Sequence, residues 1–225
     1  TRELEQFVFV ASHDLQEPLR MVASFTQLLK KRYANQLDER ANRYIEFSVE
    51  GALRMHRLID DLLQYARLNT TERHFEPVEL GQLVQQACDL LQMPIAEAEA
   101  KIDIGSLPSV RGDRVGLTQL FQNLLSNALK FRSDAPPHIE IRSRQQGHHW
   151  RIEVSDNGIG IEPHLADRVF VIFRRLHSRK RYPGSGIGLS VAKKIVEQHK
   201  GNIGFDSEPG RGTTFYFTLP RQAKP

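Results

Sequence analysis

The feature that most restricts the fold is a stripe of small and apolar residues in the first third of the chain. Ala41, Ile45, Ser48, Ala52, Met55, Ile59, Leu62 and Ala66 recur at alternating steps of four and three. That spacing keeps one stripe of an α-helix on a single seam. The preceding residues repeat it through Leu4, Phe7, Ala11, Leu15, Pro18, Val22, Phe25 and Leu29, with two successive steps of four at residue 15. This phase slip predicts packing that loosens or rotates there. A turn around Asn35–Glu39 separates the two stripes, so residues 1–68 read as a helical hairpin. One hairpin has too little core to stand alone, but two can form a four-helix bundle. A homodimer is therefore expected.

The periodicity changes after a linker at 69–74 (NTTERH). Over 75–225, HFEPVEL reads as a strand leading into a helix near 80–100, and IDIGSL as a short strand. Asp113 is placed to cap a helix running to about Phe131. HIEIRSR and WRIEVSD alternate apolar and polar residues around a turn at Gly147. A helix over 186–200 and two strands, NIGFDSE and TTFYFTLP, complete an α/β sandwich with one mixed sheet. The fold class is thus α+β, a dimeric helical hairpin followed by a sandwich domain.

Composition removes other classes. Of the 225 residues 40% are hydrophobic, but no apolar run approaches the ~18–20 residues that span a bilayer. No signal-peptide pattern opens the chain, and Thr1 lies in helix-like sequence, as though a longer protein continued upstream. The single cysteine, Cys88, sits in an apolar-periodic stretch and suits a reducing, cytoplasmic setting. A net charge of +4 is too small to argue for nucleic acid, and much of it is local to Arg174, Arg175, Arg179, Lys180 and Arg181.

The first helix also carries a polar face: His13, Glu17, Arg20, Ser24, Gln27 and Lys31, at helical spacing. An exposed histidine alone is unremarkable. Here Asp14 follows it, and a carboxylate can orient the ring and take its proton. Pro18 removes the backbone bond to the Asp14 carbonyl, at a cost of about 3 kcal/mol. The segment ASHDLQEPLR resembles the phosphoacceptor box of sensor histidine kinases. The resemblance implies that His13 is phosphorylated with Asp14 as helper, and that a dimeric bundle docks the receiver domain of a response regulator. Members with strong phosphatase activity carry Thr or Asn four residues after the histidine. Glu17 stands there, so phosphatase activity by that route is not expected. The wording SHDLQEPLR further resembles phytochrome-linked kinases, which implies an upstream sensor domain.

Four more boxes and a closing glycine turn follow in the family's order. In FQNLLSNALKF, Asn123, Asn127 and Lys130 share one helix face; amide oxygens can hold Mg²⁺ and an ammonium can offset phosphate charge. SDNGIGI gives a carboxylate and two glycines at a strand end. RVFVIFRRL resembles the phenylalanine box, with Phe170 and Phe173, and the basic loop from about 174 to 185 resembles an ATP lid. GSGIGLS places glycines before a helix N-terminus, which favours phosphate. EPGRGTTF resembles the closing glycine turn. The resemblance implies ATP bound by Asn123, Asn127, Lys130, Phe131, Asp156, Gly158, Gly160, Gly184, Gly186, Gly188, Leu189 and Thr213. It assigns Asp156 to adenine, and Asn127 with Asn123 to Mg²⁺. The implied activity is ATP-dependent autophosphorylation of His13 and phosphotransfer to a response-regulator aspartate. Two rivals stay open: an ATPase or serine kinase on the same nucleotide fold, and a non-catalytic dimerisation module.

Overall fold

The structure, a computed structural model, describes residues 2–33, 36–70, 74–174, 182 and 185–221, without the side chains of 2–14, 57, 64 and 66–70. It divides into two compact units, one up to Thr71 and one from Glu72.

The first unit is a hairpin of α1 (Arg2–Tyr33) and α2 (Glu39–Thr70). Asp38 caps α2, its Oδ1 accepting from the Ala41 amide at 2.7 Å. Helix α1 continues through Pro18. Gln16 donates to Asp60 (2.5 Å) and Lys30 to Glu46 (2.9 Å), and these equal steps along the two helices mark them as antiparallel and in register. Ala23 and Ala52 are buried at the middle, where small side chains let the backbones approach, and Leu63 is buried further along α2.

The apolar stripe read from the sequence does not all point inward. The α1 residues that lose most solvent to α2 are Gln16, Leu19, Ala23 and Thr26, whereas Leu15, Val22, Phe25 and Leu29 stay 45–60% exposed. On α2 the stripe splits: Ala52 is buried and Ile45 and Ile59 half-buried, but Met55 and Ser48 are exposed. Spacing identified apolar faces, yet a helix with two of them has no local rule for which one its hairpin partner takes. The polar face lies as expected for Glu17, Arg20, Ser24, Gln27 and Lys31, all exposed. The placement expected for the His13 and Asp14 side chains lies outside the described residues.

The second unit is a five-stranded sheet covered on one face by helices. In chain order its elements are β1 (Phe75–Glu79), α3 (Leu80–Leu90), α4 (Gln92–Glu97), β2 (Lys101–Ile104), β3 (Ser109–Asp113), α5 (Arg114–Lys130), β4 (His138–Gln146), β5 (His149–Asp156), a 3-10 turn at Pro163–Arg168, α6 (Gly188–Gln198), β6 (Ile203–Glu208) and β7 (Gly212–Pro220). The sheet order is β2-β4-β5-β7-β6, with β2 parallel to β4 and the rest antiparallel. Strand β3 has no counterpart among the sequence expectations; preceded by Pro108 and containing Gly112, it pairs with β1 in a separate two-stranded ribbon.

Alternation places Ile139, Ile141, Ile152, Val154, Phe215, Phe217 and Leu219 on the covered face, all buried. Helix α5 lies between α3 and α6 and buries Leu117, Leu120, Phe121, Leu124 and Leu125 among them and the sheet. Phe121 meets Phe217 edge-to-face at 5.7 Å. Each such side chain contributes roughly 1.5–3 kcal/mol by leaving water. Asp113 caps α5, accepting from the Val115 amide, and its own amide donates to Nε2 of buried His199 at 2.9 Å. His199 thereby joins the start of α5 to the end of α6.

Candidate nucleotide site

The wide apolar stripe of α5 stops short of Asn123 and Asn127, which lie half-buried at its border. Across from them β5 ends at Asp156. The register pairs Asp156 with Thr213 on β7, so Phe215, two residues further on, lies on the same face as Thr213. Asn127, Phe131, Asp156, Gly160, Ile161, Leu189, Thr213 and Phe215 line one pocket of about 410 Å³, its open mouth included.

Asp156 is its chemical centre. Its Oδ1 accepts from the amides of Gly158 (2.9 Å) and Thr213 (3.2 Å), which leaves Oδ2 as the acceptor available to a ligand. Burial raises its pKa from 3.8 to about 6, against the opposing pull of the two amides. At neutral pH the group is thus a desolvated carboxylate in a largely apolar slot. That arrangement suits a flat heteroaromatic ring that can donate one hydrogen bond.

Two glycines keep the slot open. A Cβ at Gly158 would stand 2.4 Å from the Phe131 carbonyl oxygen, and Gly160, at φ +72°, has no room for one beside Glu208. The Phe131 carbonyl in turn accepts from the Ile159 amide at 2.9 Å.

Another wall of the pocket is built from α5 and α6, which supply Asn127 and Leu189. Gly188 opens α6, and a Cβ there would lie 3.5 Å from Asn123 Oδ1. Asn123 Nδ2 is buried with no hydrogen-bond partner among the described residues. A buried amide in that state calls for a ligand or for exchange of its N and O positions. With Asn127 one turn along, two amides at the edge of the pocket fit a hard cation that keeps much of its water and arrives with phosphate. Lys130 Nζ lies over the Phe131 ring, 4.5 Å from its centroid.

The structure therefore gathers Asn127, Phe131, Asp156, Gly160, Leu189 and Thr213 around one pocket, with Asn123, Gly158 and Gly188 at its margins. Gly186 (φ +81°) precedes α6, and Gly184 lies outside the described residues. Of the phenylalanine box, Phe170 packs on Phe205 and Phe215, whereas Phe173 is half-exposed at φ +61°.

Four residues were missed in the sequence. Ile161 and Phe215 line the pocket; the alternation of TTFYFTLP could have marked Phe215. Tyr182, buried, packs against Phe131 with ring centroids 5.0 Å apart and the planes tilted by 47°. The Ser207 hydroxyl donates to the Gly212 carbonyl, accepts from the Ile161 amide and meets Thr213 Oγ1 at 2.8 Å, which ties two walls of the pocket together. No local signal points to Ser207, because its role exists only once β6 and β7 pair.

Comparison with known proteins bears on both units. Residues 3–71 match the His Kinase A (phospho-acceptor) domain. Residues 112–223 match the family described as histidine kinase-, DNA gyrase B-, and HSP90-like ATPase. Cyanobacterial phytochrome A of Nostoc sp. is 49% identical over 97% of this chain, and the phytochrome-like protein Cph1 of Synechocystis sp. is 45% identical over 97%. The chain spans less than a third of these relatives, 28% and 29% of their lengths. Full-length ShkA, solved in complex with AMPPNP, is similar over 98% of this chain and 47% of its own, with a TM-score of 0.72 and 25% identity.

Proposed function

This chain belongs to the sensor histidine kinases, as their catalytic core, and from that premise we propose that it transfers the γ-phosphate of ATP to His13. The observation that carries the reading is the desolvated Asp156 carboxylate at the end of an apolar slot, able to accept from the exocyclic amine of adenine. Asn127 and Asn123 would hold Mg²⁺, which offsets charge on the phosphates when bound. Lys130 adds a second positive charge at that end, and the α6 N-terminus directs amides toward it.

A nitrogen of the His13 imidazole attacks the γ-phosphorus in line. The bond from that phosphorus to the β–γ bridging oxygen breaks and ADP leaves. The ring proton passes to the Asp14 carboxylate. Positioning and electrostatics account for most of such catalysis. The phosphohistidine then donates its phosphoryl group to an aspartate of a response-regulator receiver domain. Glu17, exposed one turn beyond His13, places no amide or hydroxyl there to orient a hydrolytic water, so the chain acts as kinase and phosphodonor.

The working form is a homodimer. Val22, Phe25 and Leu29 on α1 and Phe47 and Met55 on α2 are 44–63% exposed, more apolar surface than a lone hairpin can leave in water. A second hairpin laid on that face makes a four-helix bundle. An upstream sensor of the phytochrome kind, as in the two cyanobacterial relatives, would set the packing of this bundle. No described helix is long and apolar enough to cross a membrane, and the proposed setting is the cytoplasm.

The test is incubation with γ-labelled ATP and Mg²⁺. Wild type should acquire acid-labile, base-stable label, and His13→Gln none. Label retained by His13→Gln, or acid-stable label, would place the phosphate elsewhere and favour the serine-kinase alternative.

A further inference from the structure

The edge of the sheet farthest from β6 carries a cluster that nucleotide chemistry does not use. Parallel pairing of β2 with β4 sets Asp103 directly opposite Glu140, and His138 lies two residues before Glu140 on the same face of β4. Ile139 and Ile141, between and beyond them, turn into the core, so His138 and Glu140 face away from the helices. His138 Nε2 lies 2.7 Å from Asp103 Oδ2 and 3.9 Å from Glu140 Oε1. One donor atom from each of the three falls within 4.8 Å of the others.

The backbone holds this arrangement from behind. The His138 amide donates to Asn157 Oδ1 at 2.8 Å, and Asn157 Nδ2 donates to the Pro136 carbonyl at 3.0 Å. Strand β4 is fixed by Ile139 and Ile141 in the core and β2 by its ladder to β4, so bringing the ligands together requires side-chain rotation only.

We propose that Asp103, His138 and Glu140 form a binding site for a divalent first-row transition cation of the zinc class. One imidazole with two carboxylates is a ligand set for a borderline ion, while Mg²⁺ and Ca²⁺ favour oxygen alone. Water completes the coordination, because all three residues remain partly exposed. Binding requires Nε2 to give up any proton it shares with Asp103 and Lys101 to leave Asp103 Oδ2, where its ammonium stands at 2.8 Å. Lys101 is largely exposed, and an exposed ion pair of this kind is a weak competitor. Arg142 neutralises Glu140 through its other oxygen, Oε2, leaving Oε1 for the metal.

The probe is ZnCl₂ titrated calorimetrically into the whole, nucleotide-free chain, with Co²⁺ absorption as a second readout. Other histidines add background, so the comparison is between variants. Wild type should bind one equivalent that His138→Ala and Glu140→Gln each weaken by at least the ~10–100-fold that loss of even a supporting partner costs a metal site. Lys101→Met should tighten it by removing the competing ammonium. Circular dichroism controls for folding, and Glu140→Gln, at the surface, keeps the test valid if His138→Ala is damaged. Equal stoichiometry and affinity in all four proteins would overturn the site. So would weaker binding in Lys101→Met, which would reduce the cluster to an ion-pair network.

Discussion

The hairpin and the sandwich use apolar patterning of similar regularity to different ends. In the sandwich each inward residue finds its partner within the chain: Ile139, Ile141, Ile152 and Phe217 have no exposed surface at all. In the hairpin, Phe25 and Met55 are 60% and 44% exposed although they lie on clear stripes. A sheet face covered by helices is a closed core, whereas two helices bury only one stripe each and leave the next stripe for another molecule. The first unit therefore keeps apolar surface in water that a partner could cover, as proposed above, whereas the second closes its core within the chain.

The largest effect that would test this difference lies in the sandwich core. Phe121→Ala should cost about 3–5 kcal/mol of unfolding free energy, measured by urea titration, with the loss independent of protein concentration. A small loss would mean that α5 is less firmly seated than its burial indicates.

Asp156→Asn sharpens the comparison at the nucleotide site. The folded carboxyl titrates near 6 against an ordinary 3.8, so the folded state binds the proton more tightly. This group then costs no stability below about pH 4. Its cost grows as pH rises through 6 and is complete above it, at up to about 3 kcal/mol. Asn can still accept from the Gly158 and Thr213 amides but carries no charge. The apo variant should be more stable than wild type at pH 7.5, with the gap closing toward pH 4. Its second amide position is a donor facing an amine, so ATP-analogue affinity should fall about tenfold to a hundredfold. Unchanged affinity would remove Asp156 from the proposed adenine contact.

In the hairpin the expected response is one of assembly. Phe25→Glu should shift the sedimentation profile from dimer to monomer, at an order-of-magnitude cost of 2 kcal/mol or more for a charge on an apolar interface, while isolated-site nucleotide affinity stays put. A variant that remains dimeric would assign the exposed stripe to some other partner.

The smallest effect concerns the polar tie between α1 and α2. Asp60 accepts from Gln16 at 2.5 Å and pairs with His56 at 2.9 Å, partly exposed throughout. Asp60→Ala should cost about 1 kcal/mol, visible as a small fall in the hairpin's melting temperature. A loss of several kcal/mol would show that this cluster, rather than Ala23 and Ala52, sets the hairpin register.

Much of the site was legible in the chain because its chemistry is local. Asn123 and Asn127 share a helix face through spacing alone, and the carboxylate and glycines of SDNGIGI stand within five residues. Asp113 could be placed as a cap by its position before an apolar run. Ser207 and Tyr182 carry no such pattern, since each acts on residues well away in sequence, and Ile161, though inside SDNGIGI, is an apolar residue that only the folded pocket marks as lining. Strand β3 was hidden because SVRGD has one apolar side chain facing inward, Val110, and its pairing with β1 supplies the rest.

By itself the sequence determined the helices and most of the strands, that one hairpin has too little core to stand alone, and which residue types could meet a nucleotide. Periodicity and box order are properties of the chain and survive without coordinates. Only the tertiary structure decided which stripe of α1 faces α2, that Asp156 is desolvated enough to titrate near 6, and that Asp103 meets His138 and Glu140 across a strand pair. Burial and cross-strand register are set by which surfaces exclude water together, and no local spacing encodes that choice.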